Sequence, residues 1–321
     1  MQLTDPVARH LPAFANPRVS APRLATYGRL AYDERPASRT MTVQDLLRHT
    51  SGLAYGELTQ NATVQAGYAA AQAFQPGVIP FDSRGASPEA QVEGVAAAPL
   101  VHEPGTTWEY SLSSDILGRV VEAVSGQRLE DFMAERIFDP LGMIDTAFYV
   151  PQNQLPRLAE AFAVDPASGQ SIPLMDVLAP PANASGGAGA VSTAADYLRF
   201  TQMLLNGGEL DGARILSPTT VKLMTADHLG DRIATPVEPG ELLIGVPGYG
   251  FGLGFATRLQ DGVAGVVGST GEYMWAGFAG TYFWVDPEER LTGVFMSQAP
   301  SPERAYFRRL VKQLVHQAII D

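Results

Sequence analysis

After residue 245 the hydropathy period of the chain changes from helical to two, and this change restricts the fold more than any other feature. In Gly248-Tyr249-Gly250-Phe251-Gly252-Leu253-Gly254-Phe255, glycines alternate with large apolar residues, which places Tyr249, Phe251, Leu253 and Phe255 on one face of a strand. Further β-like runs cover 263–267, 273–278, 281–285 and 291–297, and Asp286-Pro287-Glu288-Glu289 forms a turn between the last two. Consecutive strands with short connections predict an antiparallel sheet. A closing helix carries Tyr306, Leu310, Val311, Leu314, Val315, Ala318 and Ile319 on one stripe, which is expected to cover a face of that sheet.

The preceding part of the chain is helical and rich in loops. Trp108-Glu109-Tyr110-Ser111-Leu112-Ser113-Ser114-Asp115 leads into a helix whose apolar residues at 116, 117, 120, 121 and 124 share one face. Ser113 or Ser114 is placed to cap its start and Gly126 to close its end. Tyr110 therefore sits in a turn oriented by a buried helix. A phenol there accepts a proton only if nearby cations lower its pKa from about 10; otherwise it is a tyrosine packed under a cap.

Residues 12–40 show no sustained period and read as a loop with a short strand near 29–32. Thr42-Val43-Gln44-Asp45 has capping-box form, and His49-Thr50-Ser51-Gly52 ends the short helix, a pattern that makes His49 a structural C-cap residue. Residues 54–86 are long and aperiodic, as lids and binding walls are. Ser87-Pro88 opens another helix. A later one, with Leu129, Phe132, Met133 and Ile137 on one side, is expected to stop at Asp139-Pro140-Leu141-Gly142. Residues 150–182 read as surface chain with one short hairpin. The small residues of 183–190 allow close backbone approach but lack dinucleotide-binding spacing. Thr193 to Asp196 opens a helix that turns Tyr197, Phe200, Leu204 and Leu205 inward.

Composition excludes several functions. The 321 residues are 45% hydrophobic and carry 34 acidic against 22 basic side chains, a net charge of −12 that disfavours nucleic acid and anionic membranes. Without cysteine there are no disulfides or thiolate nucleophiles, and the histidines at 10, 49, 102, 228 and 316 lack metal-site spacing. Gly-x-Ser-x-Gly, His-Glu-x-x-His and Walker-type motifs are absent. With neither a signal-like start nor a long apolar run, a soluble cytoplasmic protein is expected.

The order of landmarks is more informative than any one of them. Leu3-Thr4-Asp5-Pro6-Val7, Leu46-Leu47-Arg48-His49-Thr50-Ser51-Gly52-Leu53, Pro104-Gly105-Thr106 before Tyr110-Ser111, Ser192-Thr193-Ala194-Ala195-Asp196-Tyr197 and Trp275-Ala276-Gly277 follow one another along essentially the whole chain. Together they resemble the serine β-lactamase-like superfamily, specifically the class C β-lactamase-related (family VIII) carboxylesterases. The resemblance implies an α/β (α+β) protein of the β-lactamase/penicillin-binding-protein type, an antiparallel sheet flanked by helices beside a helical, loop-rich lobe. The expected division is 1–205, with Tyr110 and the lid segment 54–86, and 206–321, the sheet lobe with its C-terminal helix, the two forming one functional unit.

The implied function is hydrolysis of neutral carboxylic esters through an acyl-enzyme, with no metal or cofactor. In that family a serine of Ser-x-x-Lys attacks the carbonyl while the lysine and a tyrosine manage the proton, and Tyr110 matches the tyrosine. Class C lactamases carry Tyr-x-Asn where this chain reads Tyr110-Ser111-Leu112, and Lys-Thr-Gly where it reads Trp275-Ala276-Gly277, so both groups that hold a lactam are replaced. Trp275, Ala276, Gly277 and Leu112 are then the substrate-binding candidates, and the backbone N–H of Phe278 is the oxyanion-hole donor. The nucleophile departs from the pattern. The lysines are Lys222 and Lys312, preceded three positions earlier by Thr219 and Arg309, so Ser-x-x-Lys does not occur. The family places that motif ahead of the Leu3–Val7 landmark, with strands whose lack would leave a sheet edge unpaired. The chain by itself is therefore expected to be inactive toward simple esters. The alternatives are a binding module that keeps the cleft without the chemistry, or one part of a split enzyme. Expected partners are a small-molecule ester and either a second copy of the chain or a complementing N-terminal segment. Ser111, Ser113 and Ser51 are the serines to examine for a substitute nucleophile.

Overall fold

The computed structural model describes the chain apart from residues 25–29, 72, 73, 75–81, 167, 173 and 321. It forms two compact units, each built from separate stretches: Met1–Phe132, Met175–Ala190 and Asp231–Pro236 in the first, Met133–Leu174, Val191–Gly230 and Val237–Asp321 in the second. The expected boundary after residue 205 falls at the end of a helix inside the second unit.

In the first unit, strands β1 (Arg18–Leu24) and β2 (Leu30–Pro36) pair antiparallel, with Ser20 opposite Glu34. This hairpin replaces most of the loop expected over 12–40; Arg29, where the short strand was to begin, lies outside the described residues. Its strands are held by exposed cross-strand pairs, Arg18 with Glu34 at 3.1 Å and Arg23 with Asp33 at 2.7 Å, so they show no apolar alternation. Helix α1 (Val43–Leu47) starts with the full capping box of Thr42 and Asp45. Asp45 is also held by Arg39 and Thr50 and is fully buried.

Within the segment expected to be an aperiodic lid lies α2 (Ala62–Ala71), which buries Val64 and Tyr68. Its other side is alanine and polar residues, which left little periodicity to read; residues 72, 73 and 75–81 of that segment lie outside the described residues. Ser87 caps α3 (Pro88–Ala97) as expected. Helix α4 (Ser113–Ser125) closes at Gly126, whose φ of 73° is the left-handed cap. Its N-cap is Leu112, with no side-chain cap, and Ser113 lies inside the first turn, so neither serine caps it. Ile116 and Val120 join Leu46, Leu53 and Leu112 in the core of this unit.

The chain passes onward through α5 (Leu129–Met133), a π turn (Ala134–Phe138) and α6 (Asp139–Leu141). The run ends at Gly142, within the expected stop Asp139-Pro140-Leu141-Gly142. Pro140 fits the first turn of α6, where its missing N–H is tolerated, the wider π turn precedes it, and Gly142 at φ 64° ends the run.

In the second unit, α7 (Ala194–Leu205) is capped by Thr193 and buries Met203 and Leu204. A two-residue hairpin, β3 (Glu209–Leu210) with β4 (Ala213–Arg214), and helices α8 (Pro218–Thr225) and α9 (Pro239–Ile244) lead to the sheet. The sheet is antiparallel in consecutive order: β5 (Tyr249–Phe251), β6 (Ala256–Arg258), β7 (Tyr273–Ala276), β8 (Tyr282–Asp286) and β9 (Leu291–Phe295). Two strand assignments need correction. The glycine-alternating run is not one strand, because the chain turns at Gly254 (φ 94°) between β5 and β6. Residues 263–267 form turns rather than a strand: Gly262, Gly265 and Gly268 all have positive φ, and the Arg258 guanidinium takes up the carbonyls of Val266 and Val267.

The closing helix α10 (Arg304–His316) also differs from expectation. Its buried residues are Arg308 and Lys312, while Tyr306, Phe307 and Leu314 of or beside the apolar stripe are 55%, 45% and 56% exposed. The cause lies in the sheet. Glu272, just ahead of β7, is fully buried; Lys312 Nζ and the Tyr249 hydroxyl both donate to its Oε1. Arg308 donates to the carbonyls of Leu243 and Gly277.

Candidate active site

Tyr110 is set at the end of an extended segment pinned on both sides. Trp108 N–H donates to the Ala234 carbonyl at 2.8 Å, and Glu109 N–H to that of His49 at 3.0 Å. The half-buried Tyr110 ring meets His49 at 5.1 Å in an edge-on contact of 63° and Tyr55 at 5.1 Å and 59°. Beneath it runs a chain of buried hydroxyls: Ser111 Oγ lies 3.3 Å from His49 Nδ1 and 2.8 Å from Ser113 Oγ, which lies 2.8 Å from Ser51 Oγ. All three serines are 0% exposed and satisfy one another, so none offers a hydroxyl to an ester. His49 keeps its structural place: burial holds its pKa down at about 3, and its backbone bends through φ 54° to end α1.

The electrostatics of this unit run against an easily ionised phenol. Burial pushes the Tyr110 pKa up to about 12; a hydrogen bond from Tyr55 works to lower it, and the carboxylates of Asp115 and Glu57 raise it. Tyr110 is therefore a neutral phenol near neutral pH, and among the described residues no cation lowers its pKa. Asp115 is itself raised to about 6 by burial, against the opposing effect of Ser185, whose hydroxyl donates to it at 2.5 Å. Leu112 is 0% exposed in the core, so a substrate role for its side chain would require that core to open.

The other candidates share one strand and its turn in the second unit. Trp275 and Ala276 are on β7, with Trp275 half-buried and edge-on to Phe251 at 5.6 Å. Gly277 N–H donates to the Thr281 carbonyl at 2.9 Å and Gly280 N–H to that of Gly277 at 3.1 Å, closing a tight turn. A side chain at 277 would strike Thr281 Oγ1, so the turn requires glycine. Phe278 is at the tip, 42% exposed, under the Arg304 guanidinium at 5.6 Å. Sequence reasoning missed Arg308, which grips this turn through the Gly277 carbonyl, and also Tyr55, Asp115 and Ser185. The one available signal was that Arg308 and Lys312 are one helical turn apart.

Among the described residues, Glu272, Asp286 and His316 bring three ligand atoms within 4.8 Å of one another. Lys312 already sits on Glu272, and Arg258 lies 3.7 Å from it, so the charge of these carboxylates is matched without a metal ion. No helix among the described residues is long and apolar enough to cross a membrane.

Antiparallel sheet, flanking helices and a tyrosine turn define a protein of the β-lactamase/penicillin-binding-protein fold, as the sequence landmarks implied. Residues 1–317 match the Beta-lactamase family model, and the chain belongs to that family. It is 33% identical over 306 residues to Protein Rv1367c of Mycobacterium tuberculosis, covering 93% of this chain and 71% of that protein. It is 32% identical over 291 residues to Lovastatin esterase of Penicillium rubens, covering 83% and 66%. Among solved structures it is similar to EstCE1, a hydrolase with promiscuous acyltransferase activity, with a TM-score of 0.74 and 27% identity over 96% of this chain and 77% of that one. The relatives thus include esterases and a hydrolase with acyltransferase activity.

Proposed function

We propose that this polypeptide is the part of a serine carboxylesterase that carries the proton-transfer tyrosine and the oxyanion strand, acting on neutral esters through an acyl-enzyme. The observation that carries the reading is the double replacement at the family motifs: Leu112 stands where a lactam-binding amide would be, and Trp275 where a carboxylate-binding lysine would be. The loss of both polar groups suits an uncharged ester. The esterase and acyltransferase names among the relatives support the same chemistry.

In this reading Tyr110 moves the proton, the Phe278 backbone N–H takes the developing oxyanion, and Trp275, Ala276 and Gly277 line the acyl site. Leu112 acts only through the amide it replaces. A serine hydroxyl supplied from outside these residues attacks the carbonyl carbon, its proton passing to the neutral amine of the lysine in the same outside Ser-x-x-Lys segment, which then replaces the proton that Tyr110 gives up. The ester C–O bond breaks, the alcohol leaves with a proton from Tyr110, and water then releases the acid. A small neutral ester and either a complementing N-terminal segment or a second copy are the proposed partners, with a cytoplasmic location.

The absence of Ser-x-x-Lys and the burial of Ser51, Ser111 and Ser113 favour a second reading: these residues alone bind a carbonyl compound without turning it over, as a binding module or one part of a split enzyme. A short-chain aryl ester assay separates the two. The 321-residue chain is expected to show no burst, and a version extended at its N-terminus by a segment with Ser-x-x-Lys is expected to show one. Burst kinetics with covalent labelling of a serine within these 321 residues would overturn the account.

A further inference from the structure

The proton role given to Tyr110 leaves one neighbouring group unused. Tyr55 lies in the segment that begins at His49, is 4% exposed, and meets the Tyr110 ring at 5.1 Å and 59°. The two hydroxyls share a hydrogen bond that raises the pKa of Tyr55 and works to lower that of Tyr110. A third contact fixes where the Tyr55 hydroxyl can be. A Cβ placed on Gly187 would lie 3.3 Å from Tyr55 Oη and 2.5 Å from Asp115 Oδ2, so hydroxyl, carboxylate and backbone converge where only glycine fits. The His49 ring supplies a second 5.1 Å contact from the same segment, so Tyr110 is held by two rings six residues apart in sequence.

A phenol has one proton to give and lone pairs to receive. With Tyr55 as the donor of their shared bond, one lone pair of Tyr110 is filled and the Tyr110 proton points away from Tyr55. When that proton leaves, the same bond becomes charge-assisted and stronger, against the repulsion of Asp115 and Glu57. Resting on the proton-transfer reading of Tyr110, we propose that Tyr55 is a positioning residue that donates to the Tyr110 oxygen, directs the Tyr110 proton outward and stabilises its phenolate during transfer.

The test places 3,5-difluorotyrosine at position 110 of the full chain, which brings ionisation of that ring into an accessible pH range, and follows its ¹⁹F resonance with pH. The Tyr55→Phe variant is expected to raise the midpoint by about one to two pH units, the effect of losing a hydrogen bond to a charged oxygen. An unchanged or lowered midpoint in folded protein overturns the proposal. Should Tyr55→Phe not fold, 3-fluorotyrosine at position 55 keeps the shape and makes a stronger donor; it is expected to lower the midpoint, and no shift overturns the proposal. Neither titration needs turnover, so this result stands apart from the reading it rests on. That reading fails separately if Tyr110→Phe leaves ester hydrolysis by the extended, active polypeptide intact.

Discussion

Helices α4 and α10 each have 13 residues and an apolar stripe readable from the sequence, yet they bury opposite kinds of face. In α4 the centre of the stripe is inside: Ile116 is 0% and Val120 1% exposed, with Asp115 and Arg119 buried beside them, and only Val124 at its end is exposed. In α10 Tyr306, Phe307 and Leu314 are exposed and Leu310, Val311 and Val315 only half-buried, while Arg308 and Lys312 are inside at 2% and 1%. Hydropathy periodicity therefore establishes that a face exists, and the partner decides which face is buried. The magnitudes explain the choice. Leaving a leucine or aromatic side chain in water forgoes about 1.5–3 kcal/mol, whereas a buried carboxylate such as Glu272 without its cation costs about 3–5 kcal/mol.

Removing the cation is the strongest way to break this comparison. Lys312→Met is expected to destabilise the protein by about 3–5 kcal/mol in urea unfolding, and adding Glu272→Leu is expected to restore most of the loss. A neutral Lys312→Met would mean that the ion pair does not orient α10. Next is the buried stripe of α4. Ile116→Ala should cost about 2–5 kcal/mol by leaving a cavity, measured in the same titration.

The buried polar side of α4 is tested by pH. Asp115 ionises at about 6 in the fold against 3.8 in an open chain, so its contribution to stability is present below about 3.8 and is lost as pH rises through 6. His49, held near 3 against 6.5, contributes above about 6.5 and loses that contribution as pH falls. Between about pH 6 and 4 the two slopes, each about 1.4 kcal/mol per pH unit, cancel. Asp115→Asn should expose the His49 slope, with stability falling on acidification over that window; a flat profile would show that burial does not hold the two groups as described. The smallest effect belongs to the exposed stripe of α10. Leu314→Gln should change stability by no more than about 0.5 kcal/mol. A loss as large as that of Ile116→Ala would show that this face is covered in solution.

What could be read in advance was local. The caps at Thr42, Ser87, Thr193 and Gly126 depend on residues within one turn, and each is where its sequence placed it. Of the β1–β2 hairpin only the start of β2, near 29–32, was expected; the rest was missed because its pairs are charged and 10 to 16 residues apart. The burial of Lys312 in α10 was missed because its cause, Glu272, is 40 residues away. In the candidate site, Tyr110 and Trp275 to Phe278 were legible as landmarks. Arg308 and Ser185 were not, since they act across 31 and 70 residues on Gly277 and Asp115.

Close packing of small residues against α4 has a consequence for how this family's variation should be interpreted. A side chain at Gly186 would strike the Ser114 carbonyl and come within 3.1 Å of Gly118 Cα, and one at Gly118 would meet Leu129 at 2.9 Å. Neither glycine has a group that could touch a substrate. In a collection of natural or randomised variants both positions should nevertheless resist change as stubbornly as Tyr110, so an invariant column there would record the distance between two backbones and not a step of the chemistry.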